Sequence, residues 1–265
     1  MRKHLTIVAA ASLAAVGASL GAAEDSAVSA AQATSRTYDL GNFESIAVVG
    51  PHHVVISVGP GFSVRAEGPQ QTLADTEVEV EDGRLKIHPV DDEDYWDRRC
   101  GEHGDRRDHG HWRCWNDYPP ATFHVTLPRI AAASLIGGGD MRIDRVEGDE
   151  FTASVAGSGD LDVAALRVDD ARFSIAGSGD LVARGSARHS RVSIAGSGNL
   201  QAREVTSSDA SISIAGSGDA ALTVQDDAHV SIVGSGNVEI AGPARCTVSR
   251  FGAGKVLCNG EKVAS

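Results

Sequence analysis

The chain is poor in aromatic residues, in cysteine and in long apolar segments. Only 5% of its 265 residues are aromatic, and only four are cysteines. The 24 basic residues are outnumbered by 36 acidic ones, which gives a formal charge of −12. Nucleic-acid binding needs a basic face for the phosphates, so this balance argues against nucleic acid as a partner. Apart from Leu5–Leu20, no apolar run approaches the length of a membrane span, so we expect no segment that crosses a membrane.

Motifs of known catalytic machinery are also missing. The repeated Ala-Gly-Ser-Gly-Asp is a turn sequence rather than a nucleophile elbow, and there is no phosphate loop and no His-Glu-x-x-His. Adjacent acids such as Asp169-Asp170 and Asp226-Asp227 point to opposite faces of a strand, so they do not form a catalytic dyad. We predict a protein that is not an enzyme, with no catalytic residue, no cofactor and no metal.

The N-terminus has the features of a secretory signal peptide over residues 1–23. Arg2 and Lys3 precede the apolar run, and Gly21-Ala22-Ala23 offers small residues for cleavage. We therefore predict export to the periplasm or beyond, in a bacterial cell envelope. The small, polar residues 24–36 are predicted to be a disordered linker.

One octapeptide recurs along the second half of the chain at nearly constant spacing. It reads SVAGSGDL from Ser154, SIAGSGDL from Ser174 and SIAGSGNL from Ser193. The first glycine of each unit lies 18–20 residues after the previous one, in seven units between residues 137 and 252. Such a period, with short strands in each unit, indicates a solenoid in which each repeat forms one coil.

Alternation within the unit predicts which side chains face inward. A serine lies three residues before the first glycine, with apolar residues on both sides of it in nearly every unit. This period of two indicates a β-strand with serine outward and the aliphatic residues inward. Ile175, Ile194 and Ile214 should therefore lie in a single inner file.

The Gly-x-Gly pair is predicted to form a corner that every coil must make in register. A side chain there would clash or require a positive φ, which glycine adopts without penalty. The predicted corner residues of the central coils are Gly157, Gly159, Gly177, Gly179, Gly196, Gly198, Gly216 and Gly218.

The residue after each corner is aspartate or asparagine in most coils. Asp140, Asp160 and Asp180 are consecutive in this column, about 4.8 Å apart if the coils stack as paired strands. A cation such as Ca²⁺ could relieve their repulsion. The alternative is that they are solvated turn residues bonded to nearby backbone N–H groups, as in Asx-turns.

The first half of the chain reads as irregular β-structure over residues 37–130, before a seven-coil solenoid at 131–260 and a tail at 261–265. Gly-Pro pairs punctuate it. Strands are predicted at Glu44–Val49, Val54–Val58, Ser63–Glu67, Glu77–Glu81, Leu85–His88 and Thr122–Leu127, with a helical turn at Gln70–Asp75.

An insertion at residues 91–120 differs in composition from the rest of the chain. Cys100 and Cys114 flank its centre, and in an exported protein a disulfide is the expected pairing. Zinc is the alternative, with His103 and either His109 or His111 as further ligands. The insertion also holds aromatic residues of the types enriched in binding hot spots, namely Tyr95, Trp96, Trp112, Trp115 and Tyr118. A second disulfide, Cys246–Cys258, is expected to lock the last coil.

The chain resembles a family of bacterial exported proteins, the putative autotransporter adhesin head GIN domain. The resemblance spans about residues 37–260 and rests on the opening YDLGNFESIAVVGPHHVVISVGPGFSVRAEG, on FHVTLPRIAAASLIGGGD and on the tandem AGSGDL units. It implies an all-β, right-handed parallel β-helix in the cell envelope and brings no catalytic residues. The insertion departs from the family pattern, and no lipobox cysteine is present.

Three functions are compatible with these observations, the third being a structural or sensory module that acts through a partner protein. The first is a non-enzymatic envelope protein that binds a glycan or a protein in the manner of an adhesin. The second is a carbohydrate-active β-helix enzyme, a lyase or hydrolase acting on polysaccharide, which would need acids and bases clustered in a groove. The uniformity of the coils favours the first.

Overall fold

The computed structural model describes residues 33–90 and 119–263. The predicted signal peptide, the first part of the predicted linker and nearly all of the insertion lie outside these ranges. The elements are β1 Ala33–Tyr38, β2 Ser45–Val49, β3 His53–Val58, β4 Ser63–Pro69, α1 Gln70–Ala74, β5 Thr76–Glu81, β6 Arg84–Pro89, β7 Thr122–Leu127, β8 Ala132–Gly137, β9 Asp140–Ile143, β10 Val146–Gly157, β11 Asp160–Gly177, β12 Leu181–Gly196, β13 Leu200–Gly216, β14 Ala220–Gly234, β15 Asn237–Ala241, β16 Arg245–Gly252, β17 Lys255–Cys258 and β18 Glu261–Lys262.

The strands from β8 to β17 wind as stacked parallel coils, which confirms the predicted solenoid. Ile175 pairs with Ile194, and Ile194 pairs with Ile214, at equivalent positions of successive coils. All three side chains are 1% exposed, so they form the predicted inner file. The first glycines of the units are in register as well, from Gly137 to Gly252, and bound about six turns.

Each coil has three sides, as the burial pattern of β11 shows. Buried and outward residues alternate along this strand except at Ala164-Ala165, at Asp169-Asp170 and at Ala176-Gly177, where the glycine corner begins. The bends at the first two pairs and the glycine corner divide the coil into a first side (160–164), a second side (165–169) and a third side (170–177). The inward residues of all three sides meet in one apolar core.

The corner is built from backbone alone. The Gly137 carbonyl accepts hydrogen bonds from the N–H groups of Ser158 and Gly159, both at 3.0 Å. A Cβ on Gly157 would lie 2.4 Å from the Gly137 oxygen, and a Cβ on Gly159 would lie 2.1 Å from the Gly139 oxygen. Gly157 also has φ +133°. The first glycine therefore needs both its conformation and its lack of a side chain, and the second needs the lack of a side chain.

The first coil begins before the regular repeats. β2 pairs in parallel with β8, and β3 pairs in parallel with β9, so Gly50-Pro51-His52 forms the corner beneath Gly137-Gly138-Gly139. Residues 59–90 and 119–131 leave the stack between these coils and form its N-terminal end. There β1, β4 and β7 extend the sheet of β3, β5 and β6 extend the sheet of β2, and α1 packs against β1, β4 and β5.

Two predicted boundaries are wrong at the ends of the chain. Residues 33–36 of the predicted linker belong to β1, because their backbone pairs antiparallel with β4. The tail predicted from residue 261 contains β18, which pairs antiparallel with β17 after the turn at Asn259-Gly260. In both cases hydrogen bonding to a neighbouring strand orders a segment whose composition is that of a loop.

The Gly137-Gly138-Gly139 corner offers a direct test of backbone stacking. A Cβ on Gly139 would lie 2.0 Å from the His52 oxygen, whereas a Cβ on Gly138 would meet only the Ser158 hydroxyl, at 3.5 Å. We expect Gly139→Ala to lower the free energy of unfolding by at least about 2 kcal/mol, because the two coils must separate. Gly138→Ala, the matched control, should change it by less than about 0.5 kcal/mol. Urea denaturation measures both, and equal effects would contradict this account of the corner.

Candidate functional site

The residues after the corners form a hydrogen-bonded ladder along the outer surface of the first side. The Asp160 carboxylate accepts the backbone N–H of Asp180 at 2.9 Å, and the Asp180 carboxylate accepts the backbone N–H of Asn199 at 3.0 Å. The same contact recurs from Asn199 to Asp219, from Asp219 to Asn237 and from Asn237 to Lys255, at 2.7–3.2 Å. Each side chain thus ties its own coil to the next one.

This ladder corrects the expectation of Asx-turns. The side chains bond the backbone of the following coil, not of their own turn, because stacking brings that N–H closer than any local one. Asparagine adds a second bond, since the Asn199 and Asn237 amides each donate to the preceding aspartate at 2.9 Å. Asparagine therefore separates Asp180 from Asp219 with a neutral donor.

The N-terminal end of the ladder is different. Asp140 lies 3.0 Å from Nδ1 of His53, which occupies the same column in the first coil. Within residues 33–90 and 119–263, no group of three or more His, Cys, Asp or Glu side chains is placed to hold a metal ion. The geometry thus favours the hydrogen-bonded ladder over a cation as the means by which Asp140, Asp160 and Asp180 are accommodated.

A shallow groove runs beside the ladder along the solenoid axis. Its N-terminal part is a depression of about 460 Å³ between His53 and Gln201, and its C-terminal part is one of about 550 Å³ between Asn199 and Lys255. Gln201 lines both. We call this surface the ladder groove. It consists of the ladder itself, from His53 to Lys255, and of the next outward column, Val55, Arg142, Asp162, Val182, Gln201, Ala221, Glu239 and Leu257.

Ion pairs between coils border the groove. The Arg184 guanidinium lies 2.8 Å from the Asp162 carboxylate and 3.6 Å from that of Glu204, and Arg203 pairs with Glu239. These side chains are mostly exposed, so each ion pair contributes little to the free energy of folding. The pairs do hold the charged groups at defined positions along the groove. The groove therefore presents alternating carboxylate, amide, guanidinium and aliphatic groups.

His52 is a buried histidine directly beneath the N-terminal end of the groove. Its Nδ1 accepts the backbone N–H of Ala121 at 3.3 Å, and its Nε2 lies 3.2 Å from the Thr76 hydroxyl, which donates to the Thr72 carbonyl at 2.8 Å. Its ring meets Phe123 edge-on at 5.4 Å. Burial, with a smaller effect of neighbouring His53, lowers the pKa of His52 to about 4. The neutral ring thus joins the first corner to the N-terminal elements.

Some of the predicted site residues lie in the described part of the chain, and others lie outside it. The corner glycines are stacked in register, and Cys246 and Cys258 form the predicted disulfide, with Cα atoms 6.4 Å apart, in the last coil. Cys100, Cys114 and the aromatic binding candidates Tyr95, Trp96, Trp112, Trp115 and Tyr118 lie outside the described residues. Sequence reasoning missed the groove itself. The signal in the sequence was the outward column two residues after the ladder, which contains Asp162, Val182, Gln201 and Ala221. Its residue type changes from coil to coil, so no single repeat points to a groove.

Comparison with protein families decides the relationship. Residues 42–244 match the profile of the family described as "Putative auto-transporter adhesin, head GIN domain". The chain belongs to this family. No curated protein matches the chain. This head GIN domain also contains, in its described part, no helix long and apolar enough to cross a membrane.

Solved structures share the fold of this head GIN domain. A putative adhesin from Bacteroides fragilis superposes with a TM-score of 0.72 at 19% identity, over 85% of this chain and 96% of that one. A putative adhesin from Parabacteroides distasonis gives 0.63 at 21% identity, over 86% and 97%. A putative lipid binding protein from the same species gives 0.63 at 18% identity, over 84% and 95%. At these identities the likeness establishes the fold alone.

The ladder predicts that Asn199 matters for its neutrality. Asn199→Asp would remove the amide donor to Asp180 and place five carboxylates in succession, from Asp140 to Asp219, so we expect a loss of about 1 kcal/mol in the free energy of unfolding. High salt should restore part of it, because the added repulsion is screened. Gln201→Glu is the matched control, with the same added charge beside the ladder and a smaller expected effect. Chemical denaturation at two salt concentrations measures both; equal losses would count against the ladder.

The buried His52 predicts a pH-dependent loss of stability. Its pKa is lower in the folded chain, about 4, than the ordinary 6.5, so between these values the unfolded chain binds more protons. The contribution of neutral His52 is full above about pH 6.5 and is lost as the pH falls towards 4, a total of about 3 kcal/mol.

The measurement is the free energy of unfolding at steps between pH 7 and 4 in the parent, in His52→Gln and in His53→Gln. Glutamine at 52 keeps a donor and an acceptor but does not titrate, so the slope should be reduced. Half-exposed His53 serves as control, because His53→Gln removes only the smaller of the two effects on the pKa of His52 and should retain most of the slope of the parent. A parent slope that His52→Gln leaves intact would show that other groups cause it.

Proposed function

We propose that this head GIN domain is an exported, non-enzymatic protein of the cell envelope that binds its ligand along the ladder groove. The observation that carries the proposal is the groove itself, an open surface of mixed polar and aliphatic groups that extends from His53 to Lys255. The signal-peptide features at Arg2, Lys3 and the following apolar run support export. The adhesin names of its family and of its structural neighbours support a binding role.

An extended envelope glycan is the ligand class that fits this surface best. Stacked coils repeat about every 4.8 Å, so hydrogen-bonding groups recur along the groove at a spacing that a linear polymer can follow. Carboxylate and amide groups, such as those of Asp219 and Gln201, accept from and donate to hydroxyl groups. One structural neighbour is named as a lipid-binding protein. Charged groups such as Arg142, Asp162 and Glu239 interrupt the aliphatic part of the lining. An acyl chain buried there would leave those charges without partners, whereas a hydroxyl-rich chain can form hydrogen bonds with them.

The test blocks the groove without changing its charge. Ala221 lies on the groove surface, and Ala176 faces outward on the third side of the solenoid, away from it. We expect the parent to bind a set of linear envelope glycans on an array, and Ala221→Trp to weaken binding at least about tenfold by filling the groove. Ala176→Trp is the matched control and should bind like the parent.

Two further arms separate the other possibilities. A chain that lacks Asp92–Asp117 removes most of the aromatic insertion; if it folds and loses glycan binding while Ala221→Trp keeps it, the insertion is the binding element and the groove proposal is wrong. Arrays with and without calcium show whether an ion contributes. Binding to lipid vesicles instead of glycans would likewise overturn the choice of ligand.

A further inference from the structure

The sheet on the third side of the solenoid ends in two open edges. Its strand order is β5-β6-β2-β8-β10-β11-β12-β13-β14-β16. Among the described residues, the residue-by-residue pairing of β5 is with β6 alone, and that of β16 is with β14 alone. An open edge presents backbone N–H and C=O groups that can pair with another strand. The same sheet therefore offers an N-terminal edge, β5, and a C-terminal edge, β16.

The two edges carry charge of opposite sign. β5 has the sequence TEVEVE, and its outward residues include Glu77, Glu79 and Glu81. The C-terminal coil, residues 245–262, contains Arg245, Arg250, Lys255 and Lys262 but only one acidic residue, Glu261. Two copies facing each other with like edges would repel, whereas the C-terminal edge of one copy and the N-terminal edge of another attract.

The polarity and alternation of the two strands also match. β6 runs parallel to the strands from β2 to β16, and β5 runs antiparallel to β6, so in a straight stack β5 of a second copy would lie antiparallel to β16. If Arg245 lies opposite Glu81, strand alternation puts Val248 opposite Val78, and both of these side chains pack against the core of their own copy. Arg245, which pairs with Asp227 of its own chain, and Glu81, which pairs with Lys86, then meet on the outer face, and the two valines meet on the inner one.

The C-terminal end has an exposed apolar group on the strand that would be paired. Phe251, at the end of β16, is 80% exposed, the largest fraction among the large apolar residues of the described chain that face solvent. The coil beneath it is held by the Cys246–Cys258 disulfide and by Arg250, whose guanidinium donates to the Gly254 carbonyl at 2.8 Å. The edge is therefore a fixed strand that can receive a partner without first being ordered.

We propose that this chain associates head to tail with further copies of itself, by antiparallel pairing of β16 of one copy with β5 of the next. The contact is heterologous, because it joins two different surfaces, and each added copy leaves a new edge of each kind. Association of this type grows into open chains rather than closing as a dimer. The edges are separate from the ladder groove, so assembly does not depend on the groove ligand.

Sedimentation velocity of the full chain over a wide concentration series tests the proposal. We expect a continuous distribution of species that grows with concentration and shrinks with added salt, because the attraction is partly electrostatic. Arg245→Glu or Glu81→Arg alone should weaken association about fivefold, since each replaces an attraction by a repulsion. Arg167→Glu is the matched control, because Arg167 is exposed on the second side, away from both edges, and it should associate like the parent.

A charge swap makes the result decisive. A mixture of Arg245→Glu with Glu81→Arg chains should associate again, because each of its two mixed contacts joins opposite charges, and recovery also shows that both variants are folded. The proposal is overturned by a monomer at all concentrations, by a dimer that does not grow, by a mixture that stays apart, or by equal weakening in Arg167→Glu.

Discussion

The structure depends on direct backbone contact between successive glycine corners. Each carbonyl oxygen occupies the place where a side chain of the next corner would begin, as Gly139 and Gly159 illustrate. Contact of this kind leaves no freedom to slip along the strand, because a one-residue shift would put a side chain against that oxygen and would also turn the inner file outward. The corners therefore set the register of every column, inside and outside.

The outer columns follow from that register. Once Asp180 and Asn199 are held one coil apart, the carboxylate reaches the backbone N–H of the coil above, and stacking, which would make like charges repel, instead supplies each carboxylate with a donor. Asparagine alternates with aspartate from Asp180 to Asn237. At the N-terminal end of the ladder, the His53 ring lies beside the Asp140 carboxylate. Polar groups that serve the fold in this way remain exposed on one edge, and these same groups line the groove.

The strands are readable from the sequence in both the regular and the irregular half of the chain, but the pairing of the strands in the irregular half is not. The prediction of one inner file for Ile175, Ile194 and Ile214 is confirmed, because a sequence repeat directly indicates which residues stack.

The corner at Gly50-Pro51-His52 has the sequence of an ordinary turn, since it lacks the second glycine. In the described chain no earlier glycine corner lies beneath it, so that position tolerates a side chain, and histidine fills the space against Thr76 and Phe123. The partner strands β8 and β9 follow some eighty residues later in the chain, a separation that no local pattern encodes.

The same reasoning explains where specific properties can arise in a solenoid. The central coils are constrained at the corner and in the core, so variation is confined to outward columns and to the two ends. In the outward columns, Val182, Gln201 and Ala221 succeed one another without a common chemistry, so stacking does not dictate the residue type there. At the ends, a sheet must either be covered or carry charge that keeps unwanted strands away. This chain uses charge, and because acid gathers at one end and base at the other, the feature that would repel a like edge attracts an unlike one.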